Sequence, residues 1–351
     1  MNDLNAIGVM SGSSMDGLDL CAVNFDLVNN QWQYDILAAE TVSFPEKLMS
    51  QLNSVRTLSG QELSQIDIEL GIWIGDALNE FIKANHLTID IIGSHGHTVF
   101  HQVDRKLSLQ IGCPQAISQR TQLKVVSHFR QQNVLYGGQG APLVPIGDLL
   151  LFSDYQVCIN LGGIANLTIK ERDSCIAGDI VPCNQVLNAL ANRLGLPFDR
   201  GGELARTGKL DHKWLKMLQD DEFYKKPLPR SISNEWVYDQ YLSQLPEINT
   251  EEALHTFSHF IVEEISKYIP VDGYCKVLVT GGGAHNDFLI ENIRSLRPLA
   301  SFEVPSIDLI NQKEALIFAF MAVLKINHLP NCLSSYTGAS KDLSTGVVYE
   351  P

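Results

Sequence analysis

At 351 residues, with 45% hydrophobic and 19% charged side chains, the chain has the composition of a globular protein long enough for two domains. Its 40 acidic against 26 basic residues give a formal charge of -14, which argues against a nucleic-acid-coating surface or an anionic membrane as partner. Any anionic ligand must then be held by local geometry.

The N-terminal MNDLNAIGVM has no basic region ahead of an apolar one, so no secretory signal is expected, and the longest apolar run, Ala315 to Leu324, falls short of the ~20 residues of a membrane helix. AIGVMS, LDLCAVNF and YDILAAETVSF read as consecutive strands, a β-meander whose first pair is joined by the turn SGSSMDG. Ser59 and Glu62 form a capping box ahead of a helix whose apolar residues Leu63, Ile66, Leu70, Ile74, Ala77 and Phe81 recur at helical spacing. IDIIGSHG then reads as a buried strand, QAISQRTQ as a helix and KVVSHF as a strand.

The loop YGGQGAPLVP has the composition of a connection between domains. Beyond it the opening pattern restarts. YQVCINLGGIANLTIK is again strand, glycine-rich turn and strand, and CIAGDI is the next strand. Asn184 is placed to cap a helix over NQVLNALANRL, with Gly195 as its stop. Residues 200–250 are charged and proline-broken; after them come a helix in EALHTFSHFIVEEISKY, the strand KVLVT, the turn GGGAHN, the helix DFLIENIRS and the strand SFEVP. A last helix is expected from about Lys313 to Ile326. The two halves thus suggest a duplicated fold facing across a cleft.

Seven scattered cysteines without a Cys-x-x-Cys pair read as reduced, buried thiols of a cytoplasmic protein. In SHGHTVFH, His95, His97 and His101 have strand spacing that can present two imidazoles to one metal, but no nearby carboxylate or thiol set completes a zinc site. The plainer reading is a polar loop after a buried strand.

Gly12, Ser13, Ser14 and Gly17 offer approachable amides and hydroxyl donors for a phosphate, and Asp16 and Asp19 suit a magnesium ion directly or through its waters. An ordinary hairpin turn has the same composition. Three such glycine-rich bends, at 12–17, 162–166 and 281–286, favour the phosphate reading, the last at a strand-to-helix junction where helix amides point outward. GGGAHN and GGELARTGKL both fail the usual dinucleotide and P-loop patterns, at Asn286 and Leu210. Asp179, ending CIAGDI, is either a turn aspartate or a general base. Glu314 either completes a capping box with Asn311 or binds substrate hydroxyls. Arg130 is either a surface arginine at a domain boundary or a bidentate hand for a carboxylate.

GVMSGSSMDGLD resembles the signature Gly-x-Met-Ser-Gly-Thr-Ser-x-Asp-Gly-x-Asp of the anhydro-N-acetylmuramic acid kinases, in the wider acetate and sugar kinase, Hsp70 and actin superfamily. GSHGHT, LQIG, the Phe129-Arg130 pair, GGQGAPLVP, NLGGIANLT, GGGAHN, KEALIFAF and YTGA follow in order along the whole chain. The resemblance implies an α/β fold of two ribonuclease-H-like, actin-like ATPase domains around a central nucleotide cleft, spanning 1–129 plus 340–351 and 130–339. It implies ATP and Mg2+ as cofactors, bound by Gly12, Ser13, Ser14, Met15, Asp16, Gly17, Leu18 and Asp19, with Gly162, Gly163, Asn166, Gly281, Gly282, Gly283 and Asn286 as the second phosphate and adenosine elements.

It further implies Asp179 as the base that activates water and Thr98, Arg130 and Glu314 as lining the pocket of an anhydrosugar substrate, in a cytoplasmic homodimer without nucleic-acid or membrane partners. The implied reaction phosphorylates 1,6-anhydro-N-acetylmuramic acid while water opens its ring, in cell-wall sugar recycling. Two departures stand out: Val181 and Cys183 replace glycines of the usual Asp-Thr-Gly-Pro-Gly-Asn, and His97 replaces the glutamine of Ser-His-Gly-Gln-Thr. A kinase of another anhydrosugar such as levoglucosan, or a non-catalytic nucleotide switch, are the competing readings.

Overall fold

The structure is a computed structural model that describes residues 3–12, 17–171 and 174–351. In chain order its strands are β1 Leu4–Ser11, β2 Leu18–Val28, β3 Gln31–Val42, β4 Ile91–Gln102, β5 Leu107–Ile111, β6 Lys124–Ser127, β7 Val157–Leu161, β8 Ile164–Glu171, β9 Ser174–Pro182, β10 Cys275–Thr280, β11 Ala300–Glu303 and β12 Val347–Tyr349. They form two sheets, one in each of two compact units: residues 1–151 with 312–351, and residues 152–311.

The first sheet runs β12-β6-β4-β1-β2-β3, with β5 paired to β4, and the second runs β11-β10-β7-β8-β9. Both contain the same five-strand pattern. An antiparallel meander, β1-β2-β3 or β7-β8-β9, is extended from its first strand by two parallel strands, β4 and β6 or β10 and β11. This is the ribonuclease-H-like order expected for each half, and it establishes the duplication of fold.

Strand β1 is an unbroken apolar run because both its faces are covered. Ile7 and Val9 join the core beneath the helix Gly60–Ala84, through Leu70, Ile74, Leu78 and Phe81. On the other face Gly8 lies against the helix Ile307–Ile326 so closely that a Cβ would stand 1.6 Å from the Ala315 carbonyl oxygen. Gly93 of β4 does the same against Phe318, at 2.1 Å from its carbonyl oxygen. The second unit has its own core, in which the helix Thr250–Ser266 contributes Phe257, Phe260, Ile261 and Ile265 beside Ile159, Leu161 and Val277.

Local signals held where no distant group competed. The Ser59–Glu62 capping box is complete, and Gly195 ends its helical segment at φ 73°. Elsewhere tertiary contacts decided. Cys183, not Asn184, precedes the helix Asn184–Ala191, because the Asn184 amide donates to the Leu161 carbonyl at 2.9 Å instead. The last helix begins at Ile307, with the Ser306 hydroxyl accepting from Leu309 N, so Asn311 and Glu314 lie inside it and form no capping box. The three histidines belong to β4, which continues to Gln102, and not to a loop.

The division into units also differs from the expected boundaries at 129/130 and 339/340: it falls at 151/152 and 311/312. YGGQGAPLVP is inside the first unit, where buried Asn133 accepts from Gly140 N at 2.8 Å and donates to Thr337 Oγ1 at 2.9 Å. Among the described residues no helix is long and apolar enough to cross a membrane.

Candidate functional site

In the first unit, Ser11 closes β1 and Leu18 opens β2 as its cross-strand partner, so residues 12–17 form the link between them. Ser13, Ser14, Met15 and Asp16 lie outside the described residues. Gly17 packs where a Cβ would come within 2.7 Å of the Thr41 methyl and 2.9 Å of the Val42 carbonyl oxygen, so the turn cannot carry a side chain there. Leu18 is fully buried and can offer a ligand only its backbone. Asp19 is oriented by a relay: Gln312 Nε2 donates to Thr41 Oγ1 at 3.1 Å, and Thr41 Oγ1 donates to Asp19 Oδ1 at 2.6 Å.

Asp19 in turn acts on Glu314, and Glu314 on Arg130. Desolvation pushes the Glu314 carboxyl above the ordinary carboxylate range, the Arg130 guanidinium pulls it back, and the negative charge of Asp19 adds to the rise. The side chain nevertheless stays open to solvent. Arg130 is half-buried rather than a surface arginine; its Nε donates to His95 Nε2 at 2.8 Å and its Nη1 to the Gly140 carbonyl at 2.8 Å. Thr98, half-buried on β4, faces Gln110 across the strand pair, which donates to its hydroxyl at 3.4 Å. Next to Glu314, Lys313 forms a buried ion pair with Asp148 at 2.7 Å.

Each of the three histidine rings has its Nδ1 engaged by the protein. His95 Nδ1 meets the Gly96 carbonyl at 2.8 Å, His97 Nδ1 the Ser11 hydroxyl at 3.2 Å and His101 Nδ1 the Ser108 hydroxyl at 3.0 Å. Among the described residues no group of three His, Cys, Asp or Glu side chains is arranged to hold a metal.

In the second unit, Asp179 near the end of β9 stands directly opposite Asn166 of β8, which stands opposite Asn160 of β7. Directly opposed residues share a face with their Cβ atoms about 5 Å apart, so three polar side chains line up across the end of the meander. The backbone N–H of Ile232 donates to Asp179 Oδ2 at 2.8 Å, and the Ser231 hydroxyl to the same oxygen at 3.4 Å. The segment that carries them is clamped by Arg230, whose guanidinium donates to the carbonyls of Asp179, Ile180 and Lys226 and lies 4.8 Å from the Phe223 ring centre. Burial raises the Asp179 carboxyl above its ordinary range, against the pull of those hydrogen bonds and of Arg230. A carboxylate fixed by one oxygen, made more basic by partial burial, is suited to take a proton with the other.

The turn Gly162–Gly163 gives its carbonyls to the first amides of the helix Asn184–Ala191: Cys183 N and Gln185 N to Gly163 O, and Asn184 N to Gly162 O. Gly281, at φ 81°, packs so that a Cβ would stand 2.4 Å from Asn160 Oδ1. Gly282–His285 is a short 3-10 turn, and only then does the helix Asp287–Leu296 begin, capped by the Asn286 side chain, which accepts from Leu289 N at 3.1 Å. The GGGAHN segment is thus a turn between β10 and that helix, as the sequence suggested.

It does border a cavity of about 600 Å³ within the second unit, lined by Gly282, Gly283 and Asn286 together with Asn184, Phe198 and Arg200. Phe198 and Ile307 on its wall are exposed by 52% and 60%, which leaves apolar surface free for a flat ring. Sequence reading singled out none of Phe198, Arg200 and Asn160: Phe198 is an isolated aromatic in a loop, Arg200 opens the Gly201–Gly202 turn that was set aside with GGELARTGKL, and Asn160 precedes the Gly162–Gly163 turn. Val181 and Cys183, by contrast, are fully buried members of the second core, and burial pushes the Cys183 thiol up to about 12. Neither departure adds a side chain to an exposed wall.

The model of the family described as "Anhydro-N-acetylmuramic acid kinase" matches residues 4–351. A protein of that name from Sulfurovum sp. (strain NBC37-1) is 31% identical over 369 residues, covering 99% of this chain and 100% of the relative. Another from Actinobacillus pleuropneumoniae serotype 7 (strain AP76) is 31% identical over 366 residues, covering 98% of each. The solved activator of the 2-hydroxyisocaproyl-CoA dehydratase from Clostridium difficile with bound ADPNP matches 93% of this chain and 96% of its own at 14% identity, with a TM-score of 0.43.

Proposed function

The chain belongs to the anhydro-N-acetylmuramic acid kinase family, and from that premise we propose that it converts 1,6-anhydro-N-acetylmuramic acid, water and ATP to N-acetylmuramic acid 6-phosphate and ADP. The observation that carries the reading is the family match across the whole chain, from residue 4 to 351. A cytoplasmic homodimer engaged in cell-wall sugar recycling fits the same reading.

Asp179 is the proposed base. Its Oδ2 is engaged by Ile232 N and Ser231, and Oδ1 is the atom assigned to take a proton from the attacking water. The water oxygen bonds to C1 of the sugar as the C1–O6 bond breaks. O6 then takes the γ-phosphoryl group, and the bond to the bridging oxygen of ATP breaks to release ADP. Each bond change supplies what the next one needs, and oriented donors stabilise the charge that spreads over the transferring group.

We assign the 600 Å³ cavity to the adenosine moiety, its ring beside Phe198 and Ile307 and its polar edge toward Asn286 and Asn184. Gly12, Gly17, Gly162 and Gly163 are assigned to phosphates, together with the Ser13 and Ser14 of the same sequence motif. A magnesium ion bound with nucleotide takes most of its ligands from phosphate and water and needs one or two carboxylates. Asp19, a hard oxygen donor held in place by Thr41, fits that demand, with Asp16 as its proposed companion. Such an ion would neutralise charge on the phosphates. Arg130 is assigned to the lactyl carboxylate, and Thr98 and Glu314 to sugar hydroxyls.

Asp179→Asn keeps the shape and removes the basicity. Turnover of the anhydrosugar is expected to fall by about 10²- to 10⁴-fold, with the KM for ATP little changed. Unchanged turnover would remove Asp179 as the base.

A further inference from the structure

Arg130 is useful to a carboxylate only if its planar fork is turned the right way, and a long flexible side chain does not choose that rotamer unaided. Its surroundings choose it. His95 is 3% exposed, its ring lies 4.6 Å from the Phe318 ring, and its two nitrogens are both engaged. Nδ1 faces a carbonyl, Gly96 O at 2.8 Å, which can only accept, so that nitrogen carries the proton. Nε2 faces Arg130 Nε at 2.8 Å, which can only donate, so that nitrogen must be bare.

The two contacts together admit a single form of the ring, the neutral tautomer with hydrogen on Nδ1. Gly140 O takes one Nη1 proton of Arg130 at 2.8 Å, and among the described residues Nη2 has no hydrogen-bond partner. Two of the three guanidinium nitrogens are thus anchored, and the third is left for a ligand.

We propose that His95 is a positioning residue, which as a neutral Nδ1–H imidazole locks the Arg130 guanidinium with Nη2 presented to the substrate carboxylate. The assignment rests on the reading of Arg130 as the carboxylate-binding residue. The surroundings of the ring agree with it: burial above all, and then Arg130, His97 and His101, disfavour a second proton there, while the Gly96 carbonyl alone favours one. Gly96 itself, at φ 77°, has no room for a Cβ, which would stand 2.5 Å from the Ile111 carbonyl oxygen.

Two measurements on the full chain test the proposal. With nitrogen-15-labelled histidine, the His95 ring, identified by its loss in His95→Gln, should give the NMR pattern of protonated Nδ1 and bare Nε2 and stay unchanged from about pH 8 to 5, whereas free histidine titrates near 6.5. In Arg130→Ala the pattern should shift. A His95 ring protonated on Nε2, or titrating normally in the wild type, overturns the proposal.

In steady-state assays His95→Ala should raise the KM for anhydro-N-acetylmuramic acid about tenfold with kcat and the KM for ATP within about twofold. His95→Gln, whose Oε1 can still accept from Arg130 Nε, should recover most of that loss. In an Arg130→Ala background His95→Ala should add nothing; an undiminished rise there, or a kcat loss without a KM change, contradicts positioning. A wild type that does not turn over this sugar would remove the functional reading, and the ring tautomer would then decide the His95–Arg130 coupling by itself.

Discussion

His95, His97, His101 and His128 are all held below the ordinary histidine value by burial, in His128 against the opposing charge of Asp67. The unfolded chain binds these protons from about pH 6.5 downward while the folded chain refuses them, so stability is full above that value and is lost as pH falls toward the depressed folded values. Asp179 and Glu314 work the other way, because raised carboxyls bind protons more readily in the folded chain, but their effect lies nearer the carboxylate range. His97→Asn keeps a hydrogen-bonding group beside the Ser11 hydroxyl and removes one titrating ring. Urea midpoints of the variant are expected to fall less between pH 8 and 5.5 than those of the wild type; equal slopes would show that His97 does not contribute. At this scale the sequence showed Asp179 as an aspartate near the end of an apolar strand but left it open between a turn aspartate and a general base, because the segment Arg230–Ile232 that holds its carboxylate is about 50 residues away. His95 was not legible as a partner of Arg130, because the contact joins residues 35 apart and the local His-x-His spacing points to metals instead.

Elements in this protein are fixed by close approach more than by local propensity. Gly8 and Gly93 let the helix Ile307–Ile326 sit directly on β1 and β4, and Gly8→Ala forces a methyl into the Ala315 carbonyl. Overpacking of that kind costs about 1–3 kcal/mol, to be read as a lower urea midpoint at unchanged slope. Full stability in Gly8→Ala would mean that the helix can move off the strand at no cost. The buried pair Lys313–Asp148 ties the same helix to the segment Pro145–Leu150, and Lys313→Met should cost about 3–5 kcal/mol by stranding Asp148, with Lys313→Met/Asp148→Leu recovering most of it. A double variant no more stable than the single one would show that the charges, and not their mutual burial, hold the contact. These contacts explain which boundaries could be read. Ser59 and Glu62 are exposed and cap their helix locally, whereas Asn184 is drawn to Leu161 O and Asn311 is overtaken by the helix starting at Ile307.

Across the molecule, the repeated order of antiparallel meander and two parallel strands gives each unit the same frame. The duplication was visible as two glycine-bearing hairpins, but the limits of the units were not. A loop rich in glycine and proline such as YGGQGAPLVP reads as a linker by composition, although Asn133 and Thr337 bind it into the first unit. On the proposed function, phosphoryl transfer and hydrolytic ring opening are one reaction on this chain. Purified protein with magnesium, ATP and 1,6-anhydro-N-acetylmuramic acid, with ADP and N-acetylmuramic acid 6-phosphate measured together over time, tests it most directly. Equal amounts of both products are expected at every time point and none of either without the sugar; ADP formed without the sugar, or formed with no phosphorylated ring-opened product, would show that the two steps are not one reaction.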